Sequence, residues 1–186
     1  DDHDHEGHDH IEGFNEHVWY DPHTIAHVAE EIAHELGEID AAGAATYEQN
    51  YATFAAGIDD LEASLADIAA AHTGQKVFVT EPVPLYLIAA AGLENATPPA
   101  FSEAVEEGQD VPPATLLEAL NILKSGDVST VIINAQTGGA ETTQVTDAAK
   151  AAGIPVLEFT ELVPEGDTYL TWMAQNISDL AGTLTR

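Results

Sequence analysis

Tyr47, Tyr51, Phe54, Ile58, Leu61, Leu65 and Ile68 recur at alternating spacings of four and three, a pattern that only a helix turns into one continuous apolar seam. The seam predicts a helix over residues 44–72, about 40 Å long at ~1.5 Å rise per residue. Such a helix either pairs with another in a coiled coil or lies along the back of a larger body. The rest of the chain favours the second arrangement, because strand and helix signals alternate from residue 76 to the C-terminus. Residues 76–80 (KVFVT) read as a short buried strand, 84–91 as a helix, and 95–101, with two prolines, as an extended segment. Residues 112–124 read as a helix with proline in its first turn, where the missing N–H costs nothing. VSTVIIN at 128–134 is the clearest strand, followed by a helix over 139–152, a strand over 155–159 and a helix over 167–184.

Repeated βα units with short apolar strands predict an α/β fold, a parallel sheet covered by helices on both faces. Ligands of such sheets sit beyond the carboxyl ends of the strands. That directs attention to Thr80-Glu81, Asn134 to Thr137, and Thr160-Glu161. Upstream, Asp21-Pro22 signals a helix start, Ile25, Val28, Ala29, Ile32 and Leu36 recur at helical spacing, and Gly37 is expected to end that helix. The chain therefore divides into a His/Asp-rich segment (1–10), a remnant of an N-terminal lobe (11–43), a long linking helix (44–73) and a C-terminal α/β lobe (74–186).

Charge narrows the function. Against 33 acidic side chains stand four basic ones, Lys76, Lys124, Lys150 and Arg186, a formal charge of −29. Nothing here can neutralise phosphates, which excludes nucleic acid, and an anionic membrane surface is excluded on the same ground. A cationic ligand suits the balance, as does adaptation to high salt. Cysteine is absent, so there is no disulfide framework, thiolate site or cysteine nucleophile. No nucleophile elbow, phosphate-binding glycine loop or HExxH motif occurs.

The histidines carry the rest. His3, His5, His8 and His10 alternate with carboxylates in DDHDHEGHDH, a tract with no apolar anchor that can chelate zinc, copper or nickel weakly. His17 lies in EHVWYDP, just before a helix. His23, His27 and His34 fall on one helix face; the first two have a zinc-compatible spacing, but the face reads as a polar exterior. Glu81 and Glu161 each follow a strand and open toward the crevice, and with a histidine from another element they make a metal site. Asn134, Gln136 and Thr137 line the same edge, either as hydrogen-bond partners of the ligands or as strand-end caps.

The order of these features, an acidic histidine-rich loop, EHVWYDP, a long helix, VTEPVPLYLIAAAGL, VIINAQT and VLEFTELVPEGDTYLTWM, resembles the zinc and manganese substrate-binding proteins of ABC importers, most closely the forms of high-GC Gram-positive bacteria. The resemblance spans essentially the whole chain. It implies two α/β lobes joined by one rigid helix, with the metal between them. It implies His17, Glu81 and Glu161 as ligands, Asn134 and Gln136 behind them, and His3, His5, His8 and His10 as a weak auxiliary site. Glu81 falls where zinc receptors carry a histidine and manganese receptors a glutamate. Glu161 falls where the family usually has an aspartate. Zn2+ is the expected ligand and Mn2+ the alternative.

The implied partner is the importer's membrane permease. The implied location is extracellular, as a lipoprotein or periplasmic protein, without enzymatic activity. A metal-dependent hydrolase is the rival reading. The chain begins with aspartate and has no export signal, and the family's first histidine ligand has no counterpart, so on the order of 100 further residues are expected upstream.

Overall fold

A computed structural model describes residues 14–184, which excludes His3, His5, His8 and His10. After a 3-10 turn at Val18–Tyr20 the chain enters α1 (Pro22–Ile39) and α2 (Ala44–His72). The α/β body then runs β1 (Lys76–Val79), α3 (Leu85–Ala90), β2 (Glu94–Asn95), α4 (Pro99–Glu106), α5 (Pro113–Lys124), β3 (Val128–Asn134), α6 (Ala140–Ala152), β4 (Val156–Phe159) and α7 (Tyr169–Leu184). All the strands pair in parallel, in the order β2-β1-β3-β4.

Alternation along the strands builds a core on each side of the sheet. Val77, Val79, Ile132 and Phe159 join Ile58, Leu61, Leu65 and Ile68 of α2, Leu87 and Ile88 of α3 and Met173, Ile177 and Leu180 of α7. Phe78 and Val131 face the other way, onto Phe101 of α4, Ala119 and Leu123 of α5 and Val145 and Ala149 of α6. Helices thus cover both faces, and the second half of the α2 seam lies on the body. Strand order reverses between β1 and β3, since the chain leaves β1 for β2 and crosses back to β3. This is the switch point at which such sheets open a crevice.

Two local expectations are corrected. Residues 95–101 are not extended throughout: pairing stops at Asn95, and α4 begins at Pro99, whose fixed φ suits a first helical position. Gly37 does not end α1, which continues to Ile39 and is closed by Asp40. A Cβ on Gly37 would lie 3.4 Å from the Ala44 Cβ, so its smallness serves the close approach of the two helices. The half-buried Ala26, Ala29, Ala33 and Gly37 repeat at intervals of three and four along α1. The larger apolar stripe is left exposed, Val28 at 46%, Ile32 at 55% and Leu36 at 40%.

Candidate metal centre

His17 approaches the sheet from the segment before α1 and is buried, with 4% exposure. Asn15 fixes it. The side-chain oxygen of Asn15 accepts the His17 backbone N–H at 3.1 Å and faces its ring Nδ1 at 2.8 Å. Asn15 Nδ2 donates to the Pro82 carbonyl at 2.9 Å, and Tyr86 donates its hydroxyl to the Asn15 carbonyl at 2.7 Å. The segment is therefore tied to the loop after β1. Trp19 adds an edge-on ring contact with His17, centroids 5.2 Å apart, and its indole N–H reaches the Glu161 carbonyl at 3.0 Å.

Glu81 follows β1 by two residues and is 5% exposed; Glu161 follows β4 and is half-buried. Asn134, the last residue of β3, stands between them. Its Nδ2 donates to Glu81 Oε2 at 3.1 Å and to Glu161 Oε2 at 3.4 Å, while its Oδ1 accepts the Gln136 backbone N–H at 3.0 Å. Thr137 donates its hydroxyl to the other oxygen of Glu81. Gln136 Oε1 accepts the backbone N–H groups of Glu161 at 2.7 Å and Leu162 at 3.1 Å, which sets the path of the chain past β4. The buried hydroxyls of Thr80 and Thr160, each immediately before one of the two glutamates, have no hydrogen-bond partner among the described residues.

Nε2 of His17 lies 4.0 Å from Glu161 Oε1. Donors around a zinc ion with bonds of ~2.0–2.2 Å stand roughly 3.3–3.5 Å apart, so this pair needs to close by under about 1 Å. Among the described residues no three His, Cys, Asp or Glu side chains already stand close enough to hold one ion. Two like-charged carboxylates on one amide repel each other, and a divalent cation offsets that repulsion far better than the amide dipole does. Imidazole and carboxylate together suit a borderline cation.

The strand-end rule thus anticipated Glu81, Asn134, Gln136, Thr137 and Glu161, and the structure brings His17 to them. His23, His27 and His34 lie elsewhere, exposed on α1. Sequence reasoning passed over Asn15 and Glu106. The spacing Asn-x-His is a local signal for an Asx turn and was readable. Glu106, whose Oε1 is 3.9 Å from His17 Nδ1, ends α4 inside an acidic run and carries no such signal.

No curated protein matches the chain. Among solved structures, it is similar to a crystal structure of ZnuA (22% identity, TM-score 0.73), covering 91% of this chain and 60% of that one. A zinc-bound variant of AdcAII from Streptococcus pneumoniae gives 23% identity and a TM-score of 0.71 over 91% and 60%. The periplasmic zinc binding protein TroA from Treponema pallidum gives 17% and 0.72 over 91% and 64%. At these identities the likeness establishes the fold. The chain spans less than two thirds of the length of each of these structures. Residues 1–183 match the family described as ZnuA, zinc-uptake complex component A, periplasmic, and the chain belongs to that family.

Proposed function

We propose that this chain is the metal-capturing part of a periplasmic or extracellular receptor that takes up zinc and delivers it to the membrane permease of an ABC importer. The ion is cargo, and no reaction is catalysed on it. The observation that carries the reading is the shared amide: Asn134 draws Glu81 and Glu161 together at the sheet's switch point, and His17 turns Nε2 toward Glu161. His17, Glu81 and Glu161 are the ligands, Asn134 and Gln136 orient them, and a donor beyond these three completes the coordination. In this reading residues 11–43 belong to an N-terminal lobe, 44–73 form the linking helix and 74–186 the α/β lobe. The tract carrying His3, His5, His8 and His10 gathers further zinc at lower affinity. Family membership supports the metal, the importer and the compartment together. A solved relative is described as zinc-bound and another as a zinc binding protein, which favours zinc over manganese. Two carboxylates against one imidazole are the specific observation on the side of manganese, which prefers oxygen.

Calorimetry with zinc and with manganese on His17→Ala, Glu81→Ala and His27→Ala tests this. The first two substitutions are expected to remove the tightest zinc binding while His27→Ala leaves it in place. Equal losses in all three, or loss with His27→Ala alone, would move the principal site to the surface of α1. Tighter manganese than zinc binding in the unsubstituted chain would keep the site and change its cargo.

A further inference from the structure

Away from the crevice, two imidazoles at the start of α1 face one another. His23 and His27 sit one helical turn apart with their Nε2 atoms 3.3 Å apart and their ring planes at 86°. Each ring turns its other nitrogen to a carboxylate. His23 Nδ1 lies 3.1 Å from Glu62 Oε1, which reaches across from α2, and His27 Nδ1 lies 3.7 Å from Glu30 Oε2.

We propose that His23 and His27 form a second, separate capture site for a borderline divalent ion such as zinc, copper(II) or nickel(II), with Glu62 as its positioning residue. Bonds of ~2.0–2.1 Å at a tetrahedral angle place two nitrogen ligands about 3.3–3.4 Å apart, the separation already present between these two Nε2 atoms. A carboxylate on Nδ1 holds the ring proton there and leaves Nε2 with its lone pair, the arrangement found behind metal-binding histidines. Glu62 holds His23 in this way at 3.1 Å, whereas Glu30, at 3.7 Å, stands near His27 Nδ1 beyond hydrogen-bond distance, and a cation joins the two Nε2 atoms. His23 and His27 are 70% and 65% exposed, so water fills the remaining coordination positions and the ion exchanges readily. Two imidazole nitrogens select against calcium, magnesium and manganese, which prefer oxygen. Placed six residues after His17, the pair holds a loosely bound ion on the helix that follows the principal ligand.

The site is independent of the His17 set, and the test separates the two. The full chain with 15N-labelled histidine is titrated with zinc alone and followed by NMR of the imidazole nitrogens, alongside His27→Gln, Glu62→Gln and His17→Ala. The His27 and Glu62 side chains are 65% and 42% exposed, so neither substitution opens the core. The His23 and His27 signals are expected to move together at the same zinc concentration, and to do so also in His17→Ala. His27→Gln is expected to remove the His23 response at that concentration and to lower the number of weakly bound ions by one. Glu62→Gln is expected to weaken the site roughly 10-fold and to shift the His23 tautomer. A His23 response unchanged by His27→Gln would reduce the pair to two isolated surface imidazoles and overturn the proposal. Rings that ignore zinc would leave a hydrogen-bonded histidine pair only, which also overturns it. Loss of both signals' response in His17→Ala would show that they report the principal site, with the same consequence.

Discussion

Nδ1 of His17 lies 2.8 Å from the side-chain oxygen of Asn15, and that contact sets which ring nitrogen is available to a ligand. Asn15 Nδ2 donates to the Pro82 carbonyl, which can only accept, so the amide oxygen is the atom facing the ring. An amide oxygen cannot donate; Nδ1 therefore carries a proton, and Nε2, which faces Glu161, is the nitrogen left for a metal. On the proposed ligand set, metal affinity depends on a residue that touches no metal.

Asn15→Ala is accordingly expected to lower zinc affinity by roughly 10-fold or more, the usual size of losing a group that orients a ligand. Asn15→Asp, which keeps the acceptor but loses the bond to Pro82, is expected to retain more of it. Calorimetry measures the affinities, and ring-nitrogen NMR of the metal-free protein reads the tautomer. Unchanged affinity in Asn15→Ala with an unchanged tautomer would show that burial alone holds the ring.

Asn134 makes a different contribution, since its one amide bridges two carboxylates rather than fixing the protonation of a ring. Removing it leaves Glu81, which is nearly buried, with Thr137 as its one side-chain donor among the described residues. Asn134→Ala is expected to destabilise the metal-free protein by about 1–3 kcal/mol, the cost of leaving a buried polar group short of a partner. Urea denaturation in the presence of a chelator measures this. A change below the experimental error would mean that solvent replaces the amide.

The α/β body was legible because strand and helix periods differ and glycines and prolines separate them. Val128–Asn134 runs as the sequence implied, and Glu81, Asn134 and Glu161 follow from where the strands stop. The limit was reached where sequence-distant groups meet. Glu106 reaches His17 across 89 residues, and nothing local distinguishes it from a solvated charge. On α1 the period was right and the histidine face is exposed as read, but the large apolar residues opposite it are not the face that packs. Ala26 packs against the core and Gly37 lies against Ala44, whereas Val28, Ile32 and Leu36 stay exposed. Small residues let helices approach closely, so residue size decided the contact here rather than hydrophobicity.

Close approach also constrains Gly92, in the turn between α3 and β2. Its φ is +68°, and an added Cβ would stand 3.1 Å from the Ala69 Cβ and 3.3 Å from its Cα in α2. Gly108 has a similar φ of +65° with open space around it. Both Gly→Ala substitutions incur the left-handed backbone cost of about 1–2 kcal/mol. Gly92→Ala must in addition push α2 away from the body. Thermal or urea unfolding is expected to rank Gly92→Ala clearly below Gly108→Ala. Equal losses would show that the α2 contact yields without cost.

Tyr20 links the ligand segment to the core. Its ring is fully buried, stacked near Phe159 and edge-on to Trp172, and its hydroxyl donates to the Thr160 carbonyl and accepts from Asn176 Nδ2 at 3.4 Å. Burial, the largest cause, pushes the Tyr20 hydroxyl well above the ordinary tyrosine range, and burial followed by the charge of Asp21 does the same to Tyr169. A raised folded-state value means that the native protein keeps these protons after the unfolded chain has begun to lose them. Their contribution is therefore fully present below about pH 10 and is lost as pH rises beyond it, at up to about 1.4 kcal/mol per pH unit for each tyrosine. Tyr20→Phe removes one of the two. It is expected to be less stable at neutral pH by about 1–2 kcal/mol, because the Thr160 carbonyl and the Asn176 amide each lose a partner. Between pH 10 and about 11.5 its stability should fall less steeply than that of the unsubstituted protein, since phenylalanine has no proton to lose. Lysines titrating in this range are common to both proteins and cancel in the comparison. Urea midpoints across the pH series give both slopes, and parallel slopes would show that Tyr20 ionises as readily in the fold as out of it. Because Thr160 immediately precedes Glu161, the same substitution loosens the chain behind a proposed ligand, and zinc affinity measured at pH 7 should fall with it.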